Sequence, residues 1–175
     1  MQNALAAMSA REWDAHNTFE DPAWAARIFA LGTLSDMRAL AESGNPRAQY
    51  LIGFASSKDW PSYTRRPYGA AQDDAQAIGW WRRAAAAGDL RGINSMFQAY
   101  MDGTGVPRNV EEAQRYAAAG AAQGLVRLMW IRGFWLYLNP GLGAPGEGLM
   151  WIRRAAAAGD SGSRDFLTRQ HIPLQ

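Results

Sequence analysis

The chain has no cysteine, one lysine and two histidines in 175 residues. Without cysteine there can be no disulfide and no thiolate metal site, which fits a cytoplasmic protein. A periplasmic or secreted location would fit only if a leader had been removed, because Met1–Met8 carries no charged n-region and Glu12 and Asp14 follow soon after. His16 and His171 stand at opposite ends, so neither a catalytic triad nor a metal cluster is expected. No apolar run approaches the ~20 residues that span a bilayer. With Lys58 the only lysine, the cations are nearly all arginine, which prefers planar carboxylate and aromatic partners. Residues 1–43 hold three Arg against six acids; residues 44–175 hold fifteen basic against ten acidic groups. That surplus is spread along the chain rather than packed into a dense stripe, and nucleic acid is not an expected partner.

What the chain does have is a sentence written twice. Trp80-Trp81-Arg82-Arg83-Ala84-Ala85-Ala86-Ala87-Gly88-Asp89 returns 71 positions later as Trp151-Ile152-Arg153-Arg154-Ala155-Ala156-Ala157-Ala158-Gly159-Asp160. A weaker copy, Tyr116 to Gly124, sits midway, so the closing glycines Gly88, Gly124 and Gly159 are spaced 36 and 35 apart. A period of that size marks a stacked array of helical hairpins. The expected fold is therefore all-α: an α/α superhelical solenoid of about three helix-turn-helix repeats.

The expected divisions are an N-terminal helical cap over 1–43 and an array over 44–175, with units at about 44–88, 89–124 and 125–159 and a last capping helix, all in one compact domain. In the cap, Ser9-x-x-Glu12 has the capping-box pattern, and Asp21-Pro22 restarts a helix with Trp24, Ile28 and Leu31 on one face. Ser35 to Ser43 then closes at Gly44. Each unit reads helix A, loop, helix B, glycine. The A helices are expected from about Pro46, from Leu90 to Met101 and from Leu125 to Leu138. The B helices are expected from Asp74 to Ala87, from Asn109 as cap, and from Glu147 to Ala158, with a final helix over Ser161 to Gln170. Pro61, Pro67 and Gly69 keep the Ser56–Asp73 segment from being helical. Ala84, Ala85, Ala113 and Ala117 let helices approach closely, and the aromatic at Trp80, Tyr116 and Trp151 is expected to fill the gap between units. Trp→Ala at such a core position would cost about 3–5 kcal/mol. Each closing glycine supplies a left-handed C-terminal turn.

These features together resemble the Sel-1-like repeat, a relative of the tetratricopeptide repeat. The second unit carries the resemblance best, through Met96, Tyr100, Gly103-x-Gly105-Val106, Glu111-Glu112-Ala113, Tyr116, Gly120-Ala121 and Gly124. The first shows Ala48, Ile52-Gly53, Ala77, Trp80, Ala84-Ala85 and Gly88; the third shows Gly133, Trp151, Ala155-Ala156 and Gly159. Phe97 and Arg132 depart from the pattern, standing where the family has glycine and leucine. The resemblance implies a solenoid that binds another protein on its concave face, as an adaptor or regulatory scaffold and not as an enzyme. A narrower alternative is an immunity or inhibitor protein that neutralises one toxin or effector enzyme; a hydrolase acting from the groove is a more distant one.

In such stacks the A helices line the inner surface, and repeat register places three columns there. The first is Arg47, Arg91 and Arg127; the second Tyr50, Asn94 and Trp130; the third Phe54, Gln98 and Phe134, with Met101 and Tyr137 one turn on. Arginines beside aromatics suit a protein or peptide that carries acidic groups. The bland reading has each Arg satisfying helix-end carbonyls and the Phe residues in the core. Trp60, Tyr63, Arg65, Arg66 and Tyr68 in the long first loop form a second candidate contact, against the alternative that the loop packs on the array. Gly141-x-Gly143-x-x-Gly146 matches a dinucleotide fingerprint but lacks a surrounding βαβ unit, so no cofactor is expected; Gly159-Asp160-Ser161-Gly162 is like a serine-protease nucleophile loop but falls on a repeat boundary in a chain with no β-barrel pattern, so no catalytic serine is expected.

Overall fold

The computed structural model describes residues 27–59, 66–69 and 71–174. Among them all regular structure is helical, in the order α1 (Leu34–Glu42), α2 (Pro46–Ser56), α3 (Asp74–Ala86), α4 (Leu90–Asp102), α5 (Val110–Ala122), α6 (Val126–Leu138), α7 (Glu147–Ala157) and α8 (Ser161–Arg169). Short 3-10 turns cover Pro67–Gly69 and Pro140–Leu142. This is an all-α fold of the α/α solenoid class. The chain divides into two compact units, Met1–Arg108 and Asn109–Gln175. The division falls inside the second sequence repeat, after its first helix.

One joint recurs between helices. The amides of Gly44, Gly88, Gly124 and Gly159 donate to the carbonyls of Ala41, Ala85, Ala121 and Ala156, and the next residue's amide reaches back to Leu40, Ala84, Gly120 and Ala155. This is a Schellman turn, which needs a left-handed residue at its corner; φ is +99°, +83°, +93° and +104° at the four glycines. His171, φ +54°, makes the same turn after α8, with Ile172 N–H donating to Leu167 O at 2.9 Å. The residue after each glycine is the N-cap of the following helix. Asn45 accepts from the amides of Arg47 and Ala48, Asp89 from Arg91 and Gly92, and Asp160 from Ser163. Leu125 has no side-chain oxygen and makes no such bond. Asp89→Ala should cost about 1–2 kcal/mol in chemical denaturation, the ordinary loss for an N-cap carboxylate, whereas Leu125→Ala should remove no cap.

In the first unit the helices meet at small residues. A Cβ on Gly53 would come within 2.6 Å of the Trp81 indole, and one on Gly92 within 2.8 Å of Ala84 Cβ and the Ala85 amide. Those two glycines set how closely α2 approaches α3 and α3 approaches α4. Gly105, φ +67°, lets its loop lie against the first turn of α3, where a Cβ would be 2.6 Å from Asp74 O. At the start of the described chain Ile28 and Phe29 are buried, but Leu31 is 47% exposed. The expectation that Leu31 shares the buried face of Ile28 is therefore corrected. The helical stretch ends at Phe29, so helical spacing no longer governs position 31. Ser9, Asp21, Pro22 and Trp24 lie outside the described residues. Ahead of α1, Thr33 and Asp36 form a reciprocal capping box. The Thr33 amide, and then its hydroxyl, hold the Asp36 carboxyl below the usual carboxylate range.

In the second unit α6 and α7 cross at a pair of glycines. A Cβ on Gly133 would meet Ile152 N at 2.8 Å, and one on Gly148 would meet Tyr137 N at 2.6 Å and Gly133 O at 2.9 Å. Ile152, Ala156 and Leu167 form a core with Trp130, Leu149, Phe166 and Ile172 packed on it. Arg132, the departure from leucine, is only partly accommodated, its Nε being buried with no hydrogen-bond partner among the described residues. Its guanidinium lies 3.8 Å from Glu147 and 5.6 Å from the centre of the Trp135 ring, and Glu147 also accepts from the Trp151 indole N–H at 3.3 Å.

The repeated aromatics are placed differently from the expectation. Trp80, Tyr116 and Trp151 are only half-buried, while their successors Trp81, Ala117 and Ile152 are buried. Instead of filling an interior gap, Trp80 and Trp151 each lie under an arginine three residues on, Arg83 at 4.9 Å and Arg154 at 5.0 Å. The helical turn brings i and i+3 together, so the repeated Trp-x-x-Arg spacing writes the same cation–π pair twice.

Candidate functional site

The structure sorts the three columns by burial. Tyr50 and Phe54 on α2 are 3% and 4% exposed and stack on each other at 6.0 Å. They are core residues of the first unit, and as surface contacts they are corrected. Arg91 also turns inward. It stands 3.6 Å from the Asp89 carboxylate and 5.4 Å from the centre of the Tyr50 ring, so it links the start of α4 to α2. Arg47, Asn94, Gln98 and Met101 are half-buried, and Gln98 donates to Asp102 within its own helix.

Of the loop candidates, Trp60, Tyr63 and Arg65 lie outside the described residues. Tyr68 falls in the Pro67–Gly69 turn. The Arg66 guanidinium donates to Ala55 O at 2.7 Å and Ser57 O at 2.8 Å, satisfying carbonyls at the end of α2. Its role is thus the packing role weighed for the loop. Nearby, a hollow of about 190 Å³ opens between Phe29, Leu34, Ile52 and Pro67, with Asp73 and Gln76 at its edge.

The second unit holds the more open arrangement. Along α6, Arg127, Trp130, Phe134 and Tyr137 follow at i, i+3, i+7 and i+10, one helical face. Arg127 is exposed, Trp130 and Phe134 are half-buried, and Tyr137 is 37% exposed. Phe166 of α8 stands among their rings. Its centroid is 5.7 Å from Trp130, 5.7 Å from Phe134 and 5.1 Å from Tyr137, each in an edge-to-face arrangement, while Trp130 and Phe134 stack at 5.1 Å. Beside this cluster is a cleft of about 480 Å³ lined by Trp130, Phe134, Asp165, Phe166, Arg169 and Gln170, with Gly162 at one end. Its lining joins three aromatic side chains to three polar or charged ones, the make-up of a site that holds a side chain and orients it. The residues of α8 were absent from the sequence columns because that helix reads as a cap. Their signal is the spacing 162, 165, 166, 169 and 170, one face of a helix.

Among the described residues no group of three or more His, Asp or Glu could hold a metal ion, and no helix is long and apolar enough to cross a membrane.

Comparison with known proteins agrees with this architecture. The family model for the Sel1 repeat matches residues 46–89, 92–125 and 134–160. A Sel1 repeat protein from Oxalobacter formigenes superposes with a TM-score of 0.64 at 24% identity, over 78% of this chain and 97% of its own. The structure of c5321, described as a protective antigen of uropathogenic Escherichia coli with an SLR fold, superposes with a TM-score of 0.62 at 22% identity. That match covers 98% of this chain but 42% of c5321. At these identities the likeness speaks for the fold. No curated protein matches the sequence.

Proposed function

The chain belongs to the Sel1 repeat family, whose members generally mediate protein–protein interaction, and we propose that this one binds a partner protein or peptide through the aromatic cleft between α6 and α8. The observation that supports this reading is the open 480 Å³ cleft floored by Trp130, Phe134 and Phe166. Aromatic anchors in a desolvated pocket with a polar rim are the usual energetic centre of an interface. The role is that of a non-enzymatic adaptor or scaffold; no step of chemistry is assigned to any residue. The exposed Arg169 beside the aromatic rings suits a partner that carries acidic groups.

The test is site-specific photocrosslinking in a lysate of the source cells. With p-benzoylphenylalanine in place of Gln170, at the cleft, one partner should be captured. The same group in place of the exposed Arg115 on α5 should not capture it. Capture from Arg115 alone would place binding on another surface and overturn the assignment.

A further inference from the structure

Resting on the reading of the cleft as a peptide site, we propose that it selects a segment of mixed charge, in which one large apolar residue stands between a basic and an acidic one. The site's own charges point to this. Among the residues that line the cleft, Asp165 and Arg169 carry charge, one of each sign, and both are exposed on α8. They stand four residues apart with the acid first, the spacing and order at which ion pairs form along a helix. Yet no hydrogen bond or ion pair joins them to each other or to another described residue. Both signs are therefore left for an occupant.

A segment of one charge gains little here. A carboxylate drawn to Arg169 is opposed by Asp165 one turn away, and an ammonium drawn to Asp165 is opposed by Arg169. A segment that carries both signs meets its opposite at each position. The spacing fits such a segment. Four residues of helix rise about 6 Å, and the residues on either side of an anchor in an extended chain stand about 7 Å apart. Side chains of an extended chain alternate in direction. One that runs along α8 therefore turns its anchor toward Trp130 and Phe134 of α6 while both neighbours face Asp165 and Arg169. Phe166, whose ring centroid stands 5.7 Å from those of Trp130 and Phe134, completes the apolar contact. A neutral segment would cover the rings and leave both charges in water.

The experiment uses the full, nitrogen-15-labelled chain and follows the indole N–H resonance of Trp130, identified by its loss in Trp130→Phe. The mixed-charge probes are acetyl-Ser-Lys-Phe-Glu-Ser-amide and acetyl-Ser-Glu-Phe-Lys-Ser-amide, one for each direction of the segment along α8. The controls carry Gln in place of Lys, of Glu or of both. The tighter mixed peptide should bind about tenfold tighter than the neutral one, as expected of two solvent-exposed ion pairs. Each singly charged peptide should stay within about threefold of the neutral one. Asp165→Asn should bring the singly acidic peptide level with the mixed one, and Arg169→Gln should do the same for the singly basic peptide. Both side chains are exposed, so neither change removes core packing, and circular dichroism should show both variants as helical as the parent. A singly charged or neutral peptide that matches the mixed ones in the parent overturns the inference, as does a preference for mixed charge that survives either variant. In both cases the cleft remains a peptide site. If none of the peptides shifts Trp130, the cleft reading and this inference fall together.

Discussion

Trp81→Ala should lower the unfolding free energy by about 3–5 kcal/mol, the loss for deleting a fully buried large aromatic, while Trp80→Ala should cost about 1 kcal/mol. The two residues are adjacent and chemically identical, so the difference isolates position. Trp81 is 2% exposed, and its indole rests where Gly53 leaves no Cβ. Truncating it opens a void between α2 and α3 that rigid helices cannot close. Its buried N–H has no partner among the described residues, and that penalty is already paid in the parent, which places the loss toward the lower end of the range. Trp80 is half-buried and its ring faces Arg83, so Ala there gives up a partly solvated cation–π contact. Urea denaturation followed by far-UV circular dichroism separates the two outcomes. Equal losses would mean that the repeated tryptophan, not its neighbour, faces the interior.

Gly148→Ala should destabilise by about 2–3 kcal/mol, the upper part of the range for overpacking, although alanine is the better helix former by ~1 kcal/mol. The methyl would meet backbone on three sides: Tyr137 N at 2.6 Å, Gly133 O at 2.9 Å and Leu136 C at 3.0 Å. Backbone cannot move aside as the end of a flexible side chain can, so α6 and α7 must separate. Gly79→Ala is the matched control. It lies within α3, and a Cβ there would have nothing within 4 Å. That change should raise stability by about 0.5–1 kcal/mol through helix propensity and reduced freedom of the unfolded chain. Thermal melts of the two variants should therefore move in opposite directions. Two shifts of the same sign would remove the glycine crossing as the reason for close approach.

Much of the architecture was legible in the sequence because helix ends are written locally. Gly88 with Asp89, and Asn109 ahead of Glu111-Glu112, announce a stop and a start through side chains that touch only their own turn. Burial is not local, and there the reading faltered. Register marks Trp80 as the repeated aromatic, yet it cannot say which of two neighbouring tryptophans points inward. That depends on Gly53, 28 positions away. Register likewise put Tyr50 and Phe54 beside Trp130 and Phe134 as equivalents, but equivalent positions see different neighbours. The α2 rings are buried and stacked, whereas the α6 rings border a cleft. Phe166 and Arg169 went unnoticed because a terminal helix reads as a lid, and only its packing against Trp130 shows it to be a wall.

The joint at Gly88-Asp89 has a consequence for how such a chain could grow. Its glycine finishes one helix and its aspartate begins the next, and among the described residues neither borrows a hydrogen bond from outside these two helix ends. A gene segment cut and rejoined at that dipeptide would carry complete helix ends on both sides. The near-verbatim decapeptide ending at Gly159-Asp160 is what duplication across such a seam would leave behind. Insertion of a whole additional unit at this dipeptide therefore demands no new terminus, only a helix face that matches its neighbours.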